Sequence, residues 1–181
     1  MTTTSTTVDV SLNLGEYYFG AGSLRLRTLL GSCVAITLWH PQRRIGGMCH
    51  YVLPSRAKGP QTAPDGRYAD EVFAALLDRI TQADTRPQDY EIKIFGGGNM
   101  FPCLGSGNCR TPSQTIFDIG RRNVDMARRF AQQQGLQPRK CDVEGSGHRQ
   151  VIFDLRTGED EVKHTPLPSD RQKADVFVQF S

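Results

Sequence analysis

The sequence predicts an α+β fold: a layered sandwich with mixed β-sheets and flanking helices. Two observations carry that expectation. Stretches of strand character outnumber helical ones, and they come in hairpins as well as singly, which argues against a doubly wound βαβ arrangement. A chain of 181 residues favours one domain. At that size roughly 70% of the unfolded chain's surface can be buried, so no disulfide or structural metal is needed to hold it together.

The elements follow in order. Residues 1–13 are polar and threonine-rich and are expected to be disordered or frayed. A single domain is expected over 14–164, and 165–181 form a polar C-terminal extension ending in the apolar run 176–180. Leu24 to Leu30 alternates apolar and basic residues with a period of two, as a half-exposed strand requires. Residues 34–39 (Val-Ala-Ile-Thr-Leu-Trp) are β-branched and aromatic enough for a largely buried strand. A turn at 40–44 returns the chain as a second strand over 45–53, giving a β-hairpin. Residues 54–67 read as a long loop, a candidate lid. Val72, Phe73, Leu76, Leu77 and Ile80 then mark one face of an amphipathic helix over 68–83.

Residues 90–95 predict a further strand, and 96–114 a second irregular stretch holding Cys103 and Cys109. Thr115 and Asp118 resemble a capping box. The helix after it turns Ile116, Gly120, Val124, Ala127 and Phe130 to the core, with Gly135 as its terminating residue. Strands are expected at 139–143 and 150–155, then a turn at 156–159 and a last strand to 163.

Composition narrows the function classes. The net charge is +3, from 22 basic and 19 acidic residues, which excludes both an acidic disordered tail and a strongly basic nucleic-acid binder. No apolar run approaches the length that spans a bilayer. The first ten residues lack the charge and apolar core of a signal peptide. Five cysteines, an odd number without framework spacing, point to a reducing cytoplasm.

The first constellation with chemistry is Gly31-Ser32-Cys33-Val34. A cysteine where a glycine turn meets a buried strand stands at a sheet end, where free amides can face an oxyanion. The hairpin brings position 50 of its partner strand opposite position 33, or nearly so. Opposite residues have Cβ atoms about 4.5–5.5 Å apart, close enough for the His50 ring to reach the Cys33 thiol. An adjacent imidazole converts a thiol to thiolate and can later protonate a leaving amine. Thr28, upstream on the preceding strand, is a candidate for holding the ring. On spacing alone, a buried structural cysteine and a satisfied histidine are the commoner reading.

The residues also carry a resemblance. Residues 28–35 (Thr-Leu-Leu-Gly-Ser-Cys-Val-Ala) and 46–54 (Gly-Gly-Met-Cys-His-Tyr-Val-Leu-Pro) are similar to the chemoreceptor glutamine deamidases, the CheD family. Tyr68-Ala69-Asp70, residues 93–98, residues 119–123 and the stretch 151–158 match in the same order, so the similarity covers 15–163. The resemblance implies a cysteine-hydrolase fold shared with deamidating bacterial toxins. It matches Cys33 to the family's nucleophile, His50 to its base and Thr28 to the third member. It implies a protein-glutamine glutaminase that converts glutamine side chains of methyl-accepting chemotaxis receptors to glutamate through a cysteine thioester. No cofactor and no metal are required, and a CheC-type phosphatase is an implied partner. The family's usual Gly-Gly pair is replaced here by Gly145-Ser146-Gly147-His148.

Ser32, Gly96, Gly97 and Asn123 are further candidates for oxyanion stabilisation or substrate positioning. Cys103 and Cys109 lack the close ligand pairs of a zinc site. Cys49 should face away from His50 into the core. Arg121, Arg122, Arg128 and Arg129 are read as a solvated helix face, with docking of acidic receptor helices as the alternative. From another functional class, a binding module that regulates a chemotaxis phosphatase or scaffolds receptors would keep the same fold without using the thiol.

Overall fold

The computed structural model describes residues 7–56, 63–100 and 113–167, the side chains of 113–118 excepted. Nine strands and two α-helices lie in these segments. In chain order they are β1 (Val8–Ser11), β2 (Tyr17–Ala21), β3 (Leu24–Leu30), β4 (Val34–His40), β5 (Ile45–Tyr51), α1 (Ala69–Gln82), β6 (Glu91–Gly96), α2 (Ser113–Gln133), β7 (Lys140–Val143), β8 (His148–Asp154) and β9 (Asp160–Thr165). They form a four-stranded sheet in the order β1-β3-β8-β9 and a five-stranded sheet in the order β2-β5-β4-β6-β7. Each sheet contains one parallel pair, β1 with β3 and β6 with β7, among antiparallel neighbours. The mixed α+β sandwich expected from the sequence is what forms.

Three layers result, and side-chain alternation builds them. Along β4, Val34, Ile36 and Leu38 face a core shared with α1 and α2, while Ala35 faces a second core between the sheets. A strand covered on both faces reads as a continuous apolar run, as 34–39 does. In the half-exposed β3, Leu26, Thr28 and Leu30 are buried, whereas Leu29 is exposed. Phe73 of α1 stacks on Phe130 of α2 with ring centroids 4.3 Å apart, joining the helices over the five-stranded sheet. Lys93 of β6 and Lys140 of β7 both pair with Asp160 of β9, an ionic tie from sheet to sheet.

Two strands depart from the expectation. Residues 1–13 are not frayed throughout: Val8–Ser11 pairs in parallel with β3, from Val8 opposite Leu24 to Ser11 opposite Arg27. The cause lies on β3, whose Arg25 and Arg27 both bond the Asp9 carboxylate, at 2.7 and 2.9 Å. Leu12, just beyond, is buried in the inter-sheet core. The aromatic stretch 17–19 belongs to β2, which pairs with β5. Helix α2 starts at Ser113, ahead of Thr115. The side chains of Thr115 and Asp118, residues 57–62 of the candidate lid, Cys103, Cys109 and the run 176–180 lie outside the described residues. Gly135 follows α2 with φ +67°, as a terminating residue should.

The chain crosses between the sheets three times near one end of the sandwich. Residues 12–16 lead from β1 to β2, 31–33 from β3 to β4, and 144–147 from β7 to β8. The parallel pairing of β1 with β3 and the antiparallel pairing of β8 with β3 put all three crossings together. Among the described residues, no helix is long and apolar enough to cross a membrane.

Candidate active site

Cys33 lies on the crossing from β3 to β4, partly buried, and packs on the inter-sheet core beside Ala35 and Met48. The hairpin register sets Ala35 opposite His50 and Val34 opposite Tyr51. Carried one position outward, it sets Cys33 against Val52, so His50 is the diagonal neighbour of Cys33. Direct opposition of 33 and 50 is thus corrected by one two-residue step, because the last strand pair is His40 with Ile45 and four loop residues intervene. A two-residue step preserves the face. Diagonal neighbours are roughly 7–8 Å apart, within reach of an imidazole.

The ring of His50 is held from the other sheet. Its Nδ1 lies 2.8 Å from the Thr28 hydroxyl, and that hydroxyl donates its hydrogen to the Leu12 carbonyl at 2.9 Å. A hydroxyl has one hydrogen to give, so Nδ1 must be the donor in the first contact. This assigns the tautomer with the proton on Nδ1 and leaves Nε2 with a lone pair. Among the described residues, Nε2 is buried without a hydrogen-bond partner. The segment 12–16 completes the clasp: Gly15 N–H donates to the His50 carbonyl and the His50 N–H donates to the Glu16 carbonyl, at 2.8 and 3.0 Å.

Burial sets the protonation states. It pushes the Cys33 thiol above its ordinary value, with the residue's own N–H pulling partly back. It pushes the His50 imidazole down, against the Leu12 carbonyl and the Glu16 carboxylate. At neutral pH both directions favour the uncharged forms, a thiol at Cys33 and a neutral imidazole at His50. Thr28→Val should leave the buried Nδ1–H without a partner and destabilise the fold by about 1–3 kcal/mol, whereas Thr28→Ser should retain most of the stability. Urea unfolding midpoints check this; equal midpoints for parent and valine variant would contradict the tautomer assignment.

The remaining candidates take different places. Gly97 donates its N–H to the Cys33 carbonyl at 2.8 Å, so that donor is not available to an oxyanion. Gly96, at φ +106°, approaches the same carbonyl so closely that a Cβ there would lie 2.2 Å from its oxygen. A Cβ on Gly97 would meet Val124 and the Gly120 carbonyl of α2, at 2.3 and 2.8 Å. The glycines thus let three backbones meet behind the thiol. The Ser32 carbonyl accepts from Asn123 Nδ2 at 3.2 Å, and the Val52 carbonyl accepts from the same nitrogen at 2.7 Å. Cys49 is fully buried on the helix side of β5, its thiol raised to about 12 by burial, as expected of a core residue. Among the described residues no cluster of side chains could hold a metal ion. The Leu12 carbonyl was beyond sequence reasoning; the only signal was the Val-Asp-Val alternation just before it.

A lone pair held on Nε2 and a thiol on the same sheet face, at the end of an α+β sandwich, fit a hydrolase. Comparison with known proteins defines the group more narrowly. The chain belongs to the CheD family: the model for CheD chemotactic sensory transduction proteins matches residues 52–164. A protein of Dechloromonas aromatica (strain RCB), named probable chemoreceptor glutamine deamidase CheD 3, is 44% identical over 151 residues, 83% of this chain and 84% of its own. One of Pseudomonas fluorescens (strain SBW25), named probable chemoreceptor glutamine deamidase CheD, is 45% identical over 161 residues, 89% and 87% of the two chains. A third, from Leptospira interrogans and named probable chemoreceptor glutamine deamidase CheD 1, is 33% identical over 156 residues, 85% and 91% of the two chains. The matched family span begins two residues after His50 and so does not include Thr28, Cys33 or His50.

Proposed function

We propose that this chain is a protein-glutamine glutaminase acting on methyl-accepting chemotaxis receptors, with Cys33 as nucleophile, His50 as base and Thr28 as the group that orients it. One observation carries the reading: the Thr28 hydroxyl donates to the Leu12 carbonyl, which leaves the His50 lone pair on Nε2, on the sheet face it shares with Cys33. The names of the relatives supply the substrate class.

The steps balance without a cofactor. The Cys33 thiol proton passes to His50 Nε2 as sulfur attacks the carboxamide carbon. Backbone amides near Cys33 stabilise the oxyanion. The tetrahedral species collapses with the proton of His50 going to the departing ammonia, and a thioester remains. Water then adds with His50 as base, and the glutamate side chain leaves as the thiol regains its proton. A groove of about 890 Å³ reaches His50 and Thr28, lined also by residues 11–14, Arg27, Leu29 and Gln150. Leu14 and Leu29 are exposed in its walls, which suits a protein segment with apolar residues near its glutamine. A CheC-type phosphatase belongs to the same reading as a binding partner.

Incubating the protein with receptor cytoplasmic fragments should release ammonia and convert specific glutamines to glutamate, read by peptide mass spectrometry. Unchanged masses across the fragments, with no ammonia, would reject the reading. The pH dependence has a fixed sign. Protonating Nε2 removes the base, and burial holds His50 below 6.5, so activity is present above that value and lost as pH falls through the folded-state pKa. A plot of kcat/KM against pH should show an acid limb with its midpoint below 6.5; a midpoint at or above 6.5 contradicts the assignment.

A further inference from the structure

We infer that Asn123 is a positioning residue that fixes the spacing of Cys33 and His50 by bonding the backbone beside each of them at once. This deepens the reading of the site as a thiol–imidazole pair. Asn123 sits on α2 with no exposed surface. Its Nδ2 donates to Ser32, the residue before Cys33, and to Val52, two residues after His50. Both partners are carbonyl oxygens, so the nitrogen end must face them, and both amide hydrogens are consumed.

The place of these bonds is what gives them a role. Strand pairing between β4 and β5 ends at Val34 with Tyr51. The next position outward is Cys33 with Val52, where the ladder has stopped and the thiol must still be held near its base. Asn123 closes that open end from outside the sheet. The tie has a firm anchor, because the Tyr51 hydroxyl donates to the Asn123 carbonyl at 2.7 Å and Gly120, one helical turn earlier, packs against Gly97. Its Oδ1 is buried without a hydrogen-bond partner among the described residues, so the side chain is held by its nitrogen end, through these two bonds.

The test follows labelling of Cys33 by iodoacetamide in the intact protein, resolved by peptide mass spectrometry so that the other cysteines do not interfere. Asn123→Ala should slow Cys33 labelling at pH 7 to about the level of His50→Ala. In the double variant it should produce no further loss, since both changes break one coupling. On a receptor fragment the alanine variant should lose about 10²-fold in kcat with KM unchanged, the scale of a small misplacement. Asn123→Ser, which keeps one donor, should fall between alanine and parent in both measurements, and it decides the matter if the alanine variant does not fold. Labelling equal to the parent in the serine variant, or a loss that adds to that of His50→Ala, overturns the inference. Labelling needs no receptor, so failure of the deamidase reading would show separately, as a parent protein that labels normally and deamidates nothing.

Discussion

Cys33→Ala should abolish ammonia release and the Gln-to-Glu mass change while leaving the protein folded and able to bind its partners. Without sulfur there is no thioester, and no other described thiol can substitute: Cys49 lies on the opposite face of the sheet and Cys141 on β7. The structural cost is small, because Cys33 is only partly buried; removing one sulfur there should cost about 1 kcal/mol. The same variant separates an enzyme from a binding module that merely keeps the fold. A Cys33→Ala protein that deamidates as well as its parent would show that the nucleophile is another residue.

His50→Ala should reduce kcat by about 10²–10⁴-fold, the usual contribution of a general base, and slow the reaction of Cys33 with iodoacetamide. Thr28 stays satisfied in this variant, since its hydroxyl keeps the Leu12 carbonyl as acceptor. The loss therefore reports the missing base more than collapse of its surroundings. Circular dichroism of the variant checks that the fold is kept. Alkylation unchanged across neutral pH would argue against the thiol–imidazole pair.

Strand alternation made most of the sandwich legible before any coordinates. The hairpin of β4 and β5 was readable, and with it the shared face of Cys33 and His50, because a period of two fixes which side chains share a face. The exact register was not, since it depends on where the loop begins, and His40 still pairs with Ile45. β1 escaped notice because four residues carry too little pattern; its pairing with β3 is accompanied by Asp9 meeting Arg25 and Arg27 sixteen and eighteen residues later and by the burial of Leu12. The support of the site was hidden for a related reason. Leu12, Ser32 and Val52 contribute carbonyl oxygens, which every residue has, and the direction of a carbonyl is set only by the finished fold. The glycines at 96 and 97 marked an irregular loop correctly, but that they serve contact between backbones depends on α2 lying behind them.

Thr28 belongs to one sheet and His50 to the other, and the hydrogen bond between them exists only when the two are docked. A partly synthesised chain that has formed the β4–β5 hairpin already holds Cys33 and His50, but its imidazole ring is free to turn and the two tautomers are both available. The tautomer is therefore fixed last: until the sandwich closes, nothing in the hairpin alone assigns the proton to Nδ1.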